Sequence, residues 1–127
     1  MPTADALILC APLTDEKQRI IDGRRLALLK DGALVVNVGR GELLDTDALV
    51  RELERGRLRA ALDVTDPEPL PREHPLWHLP GVLITPHTAA FTDAFSAESI
   101  RFLRRQPHSY ARGEAIENVV LTAEKSP

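Results

Sequence analysis

The chain has 127 residues, 43% of them hydrophobic and 28% charged, and 16 basic against 19 acidic side chains give a formal net charge of −3. That suffices for one modest domain with its own core, is too little for two full ones, and lies far from the composition of a disordered chain. No basic stripe suits a nucleic-acid backbone, no apolar run approaches the roughly 18 residues that span a bilayer, and the single cysteine, Cys10, cannot form an internal disulfide. The start, Met1-Pro-Thr-Ala-Asp5, has neither a basic segment nor a long apolar one and does not read as a signal peptide. The expectation is a cytoplasmic protein without a nucleic-acid or membrane partner.

In chain order, Ala6 to Cys10 is an unbroken apolar run ended by Pro12 and predicts a buried strand. Thr14 can cap a turn or short helix through Asp15 and Glu16. Leu26, Leu28 and Leu29 predict a short helix between Asp22 and Lys30, closed by Gly32. Ala33 to Val36 is a second strand, continuing to Val38. Asp45 is a good N-cap for the clearest helix, Thr46 to Arg55, with Leu49, Val50 and Leu53 on one face and Gly56 as its stop. Leu58 to Leu62 reads as a third strand and Val82 to Thr85 as a fourth. Between them, proline-rich Asp66 to Pro80 predicts an irregular loop carrying His74, Trp77 and His78. A last helix runs from Thr92 to Arg105, and Pro107 should end or kink it, because proline lacks the amide and clashes with the preceding turn. Ala115 to Leu121 reads as an extended tail.

Strands apolar throughout, alternating with amphipathic helices, indicate a parallel sheet covered on both faces. The fold class expected is α/β, a Rossmann-like layer forming a single domain over residues 1–127. In such sheets ligands bind outside the carboxyl ends of the strands. Arg40 follows the second strand, Asp63 and Glu68 the third, and His87 the fourth, so separate strands deliver polar residues to one rim. Arg40 stands between Gly39 and Gly41, whose missing side chains would let a ligand approach the backbone. Its guanidinium could hold a carboxylate by two parallel hydrogen bonds, or could be a surface arginine paired with a neighbouring acid. His87 follows Pro86, which suggests an extended backbone with the ring projecting off the strand end. An imidazole suits general acid–base work, and equally suits a structural hydrogen bond in a loop. Glu68, between Pro67 and Pro69, reads alone as a solvated loop carboxylate. Beside His87 it would orient the imidazole and favour its protonated form.

Three other patterns carry less. Gly39-Arg40-Gly41 begins like a dinucleotide fingerprint, but Leu44 stands where the next glycine is required, and Asp63 as the ribose acid fails with it. His74 and His78 are four apart, yet Pro75 argues against a helical metal pair and no cysteine pair supports zinc, so no metal site is assigned. Cys10 has no neighbouring base to make it a nucleophile and reads as a strand-end residue.

Four stretches in order carry a wider resemblance: Ala11 to Thr14 (Ala-Pro-Leu-Thr), Leu28 to Gly41 (ending Val-Asn-Val-Gly-Arg-Gly), Ala61 to Pro71 (Ala-Leu-Asp-Val-Thr-Asp-Pro-Glu-Pro-Leu-Pro) and Ile84 to His87 (Ile-Thr-Pro-His). With them the chain resembles the C-terminal part of the NAD(P)-binding domain of the D-isomer-specific 2-hydroxyacid dehydrogenases. The resemblance implies an oxidoreductase that reduces a 2-keto acid to a D-2-hydroxy acid by hydride transfer from NAD or NADP. It implies catalytic roles for Arg40 (substrate carboxylate and keto oxygen), His87 (acid–base) and Glu68 (partner of the imidazole). It places Asp63 near the nicotinamide carboxamide, and Cys10, Ala11, Pro12, Val38, Gly39, Arg40, His87 and Ala90 along the cofactor. The departures are Cys10 where many relatives have histidine, Lys17 at a usual threonine, Pro107 within a helix, and the absence of the first glycine-rich βαβ unit. That unit would be expected from a complementing chain, or to be lost by truncation, and the chain is expected to form a homo-oligomer or to pair with such a complementing chain. The alternative is a non-catalytic binding or assembly module that keeps the fold, as corepressor relatives do.

Overall fold

The computed structural model describes residues 1–119, and the chain divides after Ala89 into two units. In the first, β1 (Ala6–Leu9), α1 (Gly23–Ala27), β2 (Leu34–Asn37), α2 (Thr46–Glu54), β3 (Arg59–Leu62) and β4 (Val82–Ile84) follow one another. All paired strands are parallel, and their order across the sheet is their order in the chain, β1-β2-β3-β4. This is a Rossmann-like α/β layer. Parallel neighbours need a crossover over one face of the sheet, and crossovers share a right-handed sense. A run of strands advancing in one direction therefore stacks its helices on a single side.

The register shows which side. Leu7, Val35, Ala60 and Val82 form one cross-sheet row, and Leu9, Asn37, Leu62 and Ile84 another on the same face. These rows pack with Leu26, Leu29, Leu49, Leu53 and Leu76 in one core. Each large side chain buried there contributes about 1.5–3 kcal/mol of transfer free energy. The intervening row, Ile8, Val36, Ala61 and Leu83, points the opposite way, and both Ile8 and Leu83 are 61% exposed. The sheet is thus not covered on both faces within this unit, and β1 is an edge strand rather than a buried one. Uniformly apolar strands show that both faces want cover, but not which crossovers supply it.

Caps set the helix ends. Asp22 accepts the Arg25 amide at 2.9 Å, and Asp45 accepts the Ala48 amide at 2.8 Å. Thr14 precedes a single 3-10 turn at Asp15–Lys17 but caps it through its carbonyl, with no side-chain bond. α1 ends at Ala27, short of Gly32, and Arg57 reaches back to carbonyls at and just beyond its end. The guanidinium donates to Leu26 at 2.7 Å and Leu29 at 2.6 Å while pairing with buried Glu52. Gly56, at φ +65°, stops α2 in the left-handed region that side chains disfavour. The Asp66–Pro80 loop holds one 3-10 turn, Pro75–Trp77, tied by the Trp77 indole donating to the Pro71 carbonyl at 2.8 Å.

In the second unit α3 spans Asp93–Ala111, with Thr92 accepting the Phe95 amide at 3.2 Å. Pro107 lies inside the helix and does not end it. Proline removes its own amide from the ladder, and here the flanking turns carry the helix past that one missing bond to a close at Arg112 and Gly113 (φ +67°). Residues 115–119 form neither helix nor strand, and the remainder of the expected tail, 120–121, lies outside the described residues. Among the described residues no helix is long and apolar enough to cross a membrane.

Candidate active site

Each polar residue at the carboxyl rim is held by the strand end that precedes it. At the end of β2, Asn37 is fully buried; its Oδ1 accepts the Gly39 amide at 3.1 Å and its Nδ2 donates to the Arg40 carbonyl at 2.8 Å. That small loop presents the Arg40 side chain outward, where Nη1 donates to the Gly39 carbonyl at 2.7 Å. The flanking glycines do not leave room for a ligand. A Cβ on Gly39 would come within 2.9 Å of the Ala11 carbonyl oxygen, and one on Gly41 within 2.0 Å of the Thr65 carbonyl oxygen. The missing side chains admit neighbouring backbone, and so tie the Arg40 loop to β1 on one side and to the approach to Glu68 on the other.

At the end of β3, Asp63 is buried. Oδ1 accepts the Thr85 hydroxyl at 2.5 Å and the Thr88 amide at 2.9 Å, and Oδ2 accepts the Ala89 amide at 2.8 Å. Burial pushes its pKa up, but the bonds from Thr85, Ala89 and Thr88, with His87 nearby, outweigh it and hold the carboxyl below its ordinary 3.8. Asp63 is therefore an anion at neutral pH.

After β4 the backbone of His87 is left-handed, φ +55°, and not extended as expected from Pro86. Its amide donates to the carbonyls of Asp63 and Thr85, both at 3.0 Å, which turns the chain sharply at the rim. The turn sets Nδ1 of His87 2.7 Å from Oε1 of Glu68. A carboxylate partner fixes the proton on Nδ1, so Nε2 is the nitrogen that accepts a proton in the neutral ring and gives it up from the charged one. Both side chains are about half exposed, at 50% and 43%, so the pair adds little stability and orients the ring instead.

Two depressions flank this rim. One, of about 280 Å³, is bounded by Glu68, Leu70, Trp77, Pro86 and His87. The other, of about 230 Å³, is bounded by Val38, Asp63, Thr85, Thr88 and Ala89. Cys10, Ala11 and Pro12 follow β1 and are exposed, as is Val38. Ala90 is exposed and belongs to the second unit. Of the expected residues, the structure joins Glu68 directly to His87 and Asp63 to the His87 loop. Arg40 is linked to them through the Gly41 packing, with no hydrogen bond to either among the described residues.

A parallel Rossmann-like layer with polar side chains gathered on its carboxyl rim is the class of fold to which dinucleotide-binding domains belong. The NAD binding domain of the D-isomer specific 2-hydroxyacid dehydrogenases matches residues 1–89, and the chain belongs to that family. It is 41% identical over 118 residues to a D-3-phosphoglycerate dehydrogenase of Methanocaldococcus jannaschii, covering 92% of this chain and 22% of that protein. It superposes with a TM-score of 0.82 on a D-isomer specific 2-hydroxyacid dehydrogenase of Xanthobacter autotrophicus Py2 in complex with NADPH and MES, at 34% identity, covering 92% of this chain and 48% of the other. With D-lactate dehydrogenase of Lactobacillus jensenii, solved with NAD+, the TM-score is 0.83 at 30% identity, over 95% of this chain and 41% of the other. The chain spans less than half the length of each. The family's cofactor is NAD or NADP. The donor set fits the nicotinamide end of such a cofactor: Oδ2 of Asp63 has accepted one bond and keeps a lone pair for an amide. No G-x-G-x-x-G stretch for its phosphates occurs in the sequence.

Sequence reasoning passed over Asn37 and Thr85, which orient Arg40 and Asp63. Only the position of a polar side chain at the last residue of an apolar run marks them beforehand.

Proposed function

We propose that residues 1–127 are the C-terminal half of the NAD(P)-binding domain of a cytoplasmic reductase that converts a 2-keto acid to a D-2-hydroxy acid. The observation that carries the reading is the 2.7 Å contact between Glu68 and Nδ1 of His87, which leaves Nε2 facing outward at the rim. The nicotinamide, when bound, supplies the hydride. Arg40 binds the substrate carboxylate and draws electron density toward the keto oxygen. His87 gives the proton from Nε2 to that oxygen as it becomes a hydroxyl, and the Glu68 carboxylate stabilises the ring while it is charged. Asp63 accepts the carboxamide amide through Oδ2. Cys10, Ala11, Pro12 and Val38 line the cofactor, and Gly39 contributes backbone alone.

A second reading is a binding or assembly module without turnover. Pairing with a second copy or a complementing chain is supported by the exposed row of Ile8 and Leu83 and, among the described residues, by the unpaired outer edge of β1. The test mixes the chain with NADH or NADPH and glyoxylate or hydroxypyruvate, and follows oxidation of the cofactor. Expected is turnover that falls by roughly 10² to 10⁴ in His87→Gln and is lost in Arg40→Ala. Cofactor binding without turnover supports the module; binding of neither cofactor refutes the reductase reading for this chain and leaves its family membership intact.

A further inference from the structure

We infer that the Thr85 hydroxyl is a positioning group for His87, acting through the Asp63 carboxylate. The inference rests on the dehydrogenase reading for what His87 does, and on geometry alone for how His87 is held.

The left-handed backbone of His87 is unfavourable for a residue with a side chain by about 1–2 kcal/mol, so the fold must hold it there. Its own amide meets two carbonyls, and the next two amides, of Thr88 and Ala89, converge on the Asp63 carboxylate. The carboxylate thus acts as the clasp of the turn. A clasp works only if it cannot rotate. Oδ2 has one donor, but Oδ1 receives two, the Thr88 amide and the Thr85 hydroxyl, which fill both of its lone-pair directions.

Thr85 is well chosen for this. It stands directly after β4, with its amide bonded to the Leu62 carbonyl at 2.9 Å, and its branched side chain has few rotamers. Across the sheet, β3 supplies the acceptor and β4 the donor, so the hydroxyl joins the two strand ends from which Asp63, Glu68 and His87 depart. Removing it leaves a buried carboxylate oxygen one donor short and free to turn away from the 88–89 amides. The charged groups facing the imidazole are Glu68, in direct contact, and Asp63 beneath the turn. Neither can substitute for the hydroxyl, because both are acceptors.

The experiment uses the full chain labelled with ¹⁵N, as Thr85→Val, which keeps the shape, and Thr85→Ser, which keeps the hydroxyl. Amide exchange is read at Thr88 and Ala89, with Val35 and Leu62 reporting the core, and the His87 ring nitrogens report the tautomer. In Thr85→Val, exchange at Thr88 and Ala89 should accelerate about tenfold while the core is unchanged. The ring signals should change from a single Nδ1–H form to an average of the two tautomers. Thr85→Ser should stay within about twofold of the parent. Unchanged exchange and tautomer in Thr85→Val overturn the inference, and so does an equal loss in Val and Ser. If the Val variant fails to fold, the same comparison is made between Thr85→Ala and Thr85→Ser, where restored protection in Ser supports the hydroxyl and its absence overturns it. No readout needs cofactor or turnover, so a chain that fails to oxidise NADH counts against the dehydrogenase reading only.

Discussion

Gly41→Ala tests how the two halves of the candidate site are joined. An added Cβ would lie 2.0 Å from the Thr65 carbonyl oxygen, 2.2 Å from its carbon and 2.7 Å from the Asp66 nitrogen. All three are backbone atoms, so no rotamer change relieves the overlap, and the Arg40 loop must move away from the loop that carries Glu68. Overpacking costs about 1–3 kcal/mol when side chains can adjust, and a backbone clash belongs at the upper end, about 3 kcal/mol. For a domain this size that is a fall in Tm of roughly 12–24 °C. Urea and thermal unfolding followed by circular dichroism give both numbers. Gly23→Ala is the matched control: its Cβ would meet only the Ala48 Cβ at 3.4 Å, and it sits in α1, so it should be neutral or stabilising by up to about 1 kcal/mol. Gly41→Ala within about 0.5 kcal/mol of the parent would refute the packing argument.

Arg57→Met should destabilise by about 3 kcal/mol in urea titrations, because it leaves buried Glu52 with only Arg55, 3.7 Å away, and removes the donor to the Leu26 and Leu29 carbonyls. Adding Glu52→Leu should recover much of that loss, since the under-paired buried charge is then gone. Asp63, whose carboxyl is held below 3.8, contributes stability that is fully present above that value and lost as pH falls through the lower folded one. Amide shifts of Thr88 and Ala89 should therefore move together in acid, below 3.8, and Asp63→Asn should abolish that titration.

What could be read beforehand was local. Asp45 before an amphipathic stretch and Gly56 after it located α2 to within a residue, because a cap and a stop act on the nearest turn. The strands were equally plain, as was the arrival of Arg40, Glu68 and His87 at one rim, because parallel strands share an end. Features that depend on distant backbone were not visible. The glycines beside Arg40 looked like access for a ligand, and only the fold shows the Ala11 and Thr65 carbonyls in that space. His87 looked extended until the Asp63 and Thr85 carbonyls were seen to turn it. Pro107 obeyed the local rule less than the surrounding turns of α3 did.

Because strand order in space equals strand order in time of synthesis, the sheet can be laid down one strand after another as the chain emerges. Ala6 meets Leu34, Leu34 meets Arg59 and Ala60 meets Val82, so each arriving strand finds its partner already in place. Arg40 is thereby delivered early and the imidazole last. A nascent chain released before Ile84 would hold Arg40 on a folded sheet without the imidazole of His87. The final strand alone converts a folded platform into a complete rim.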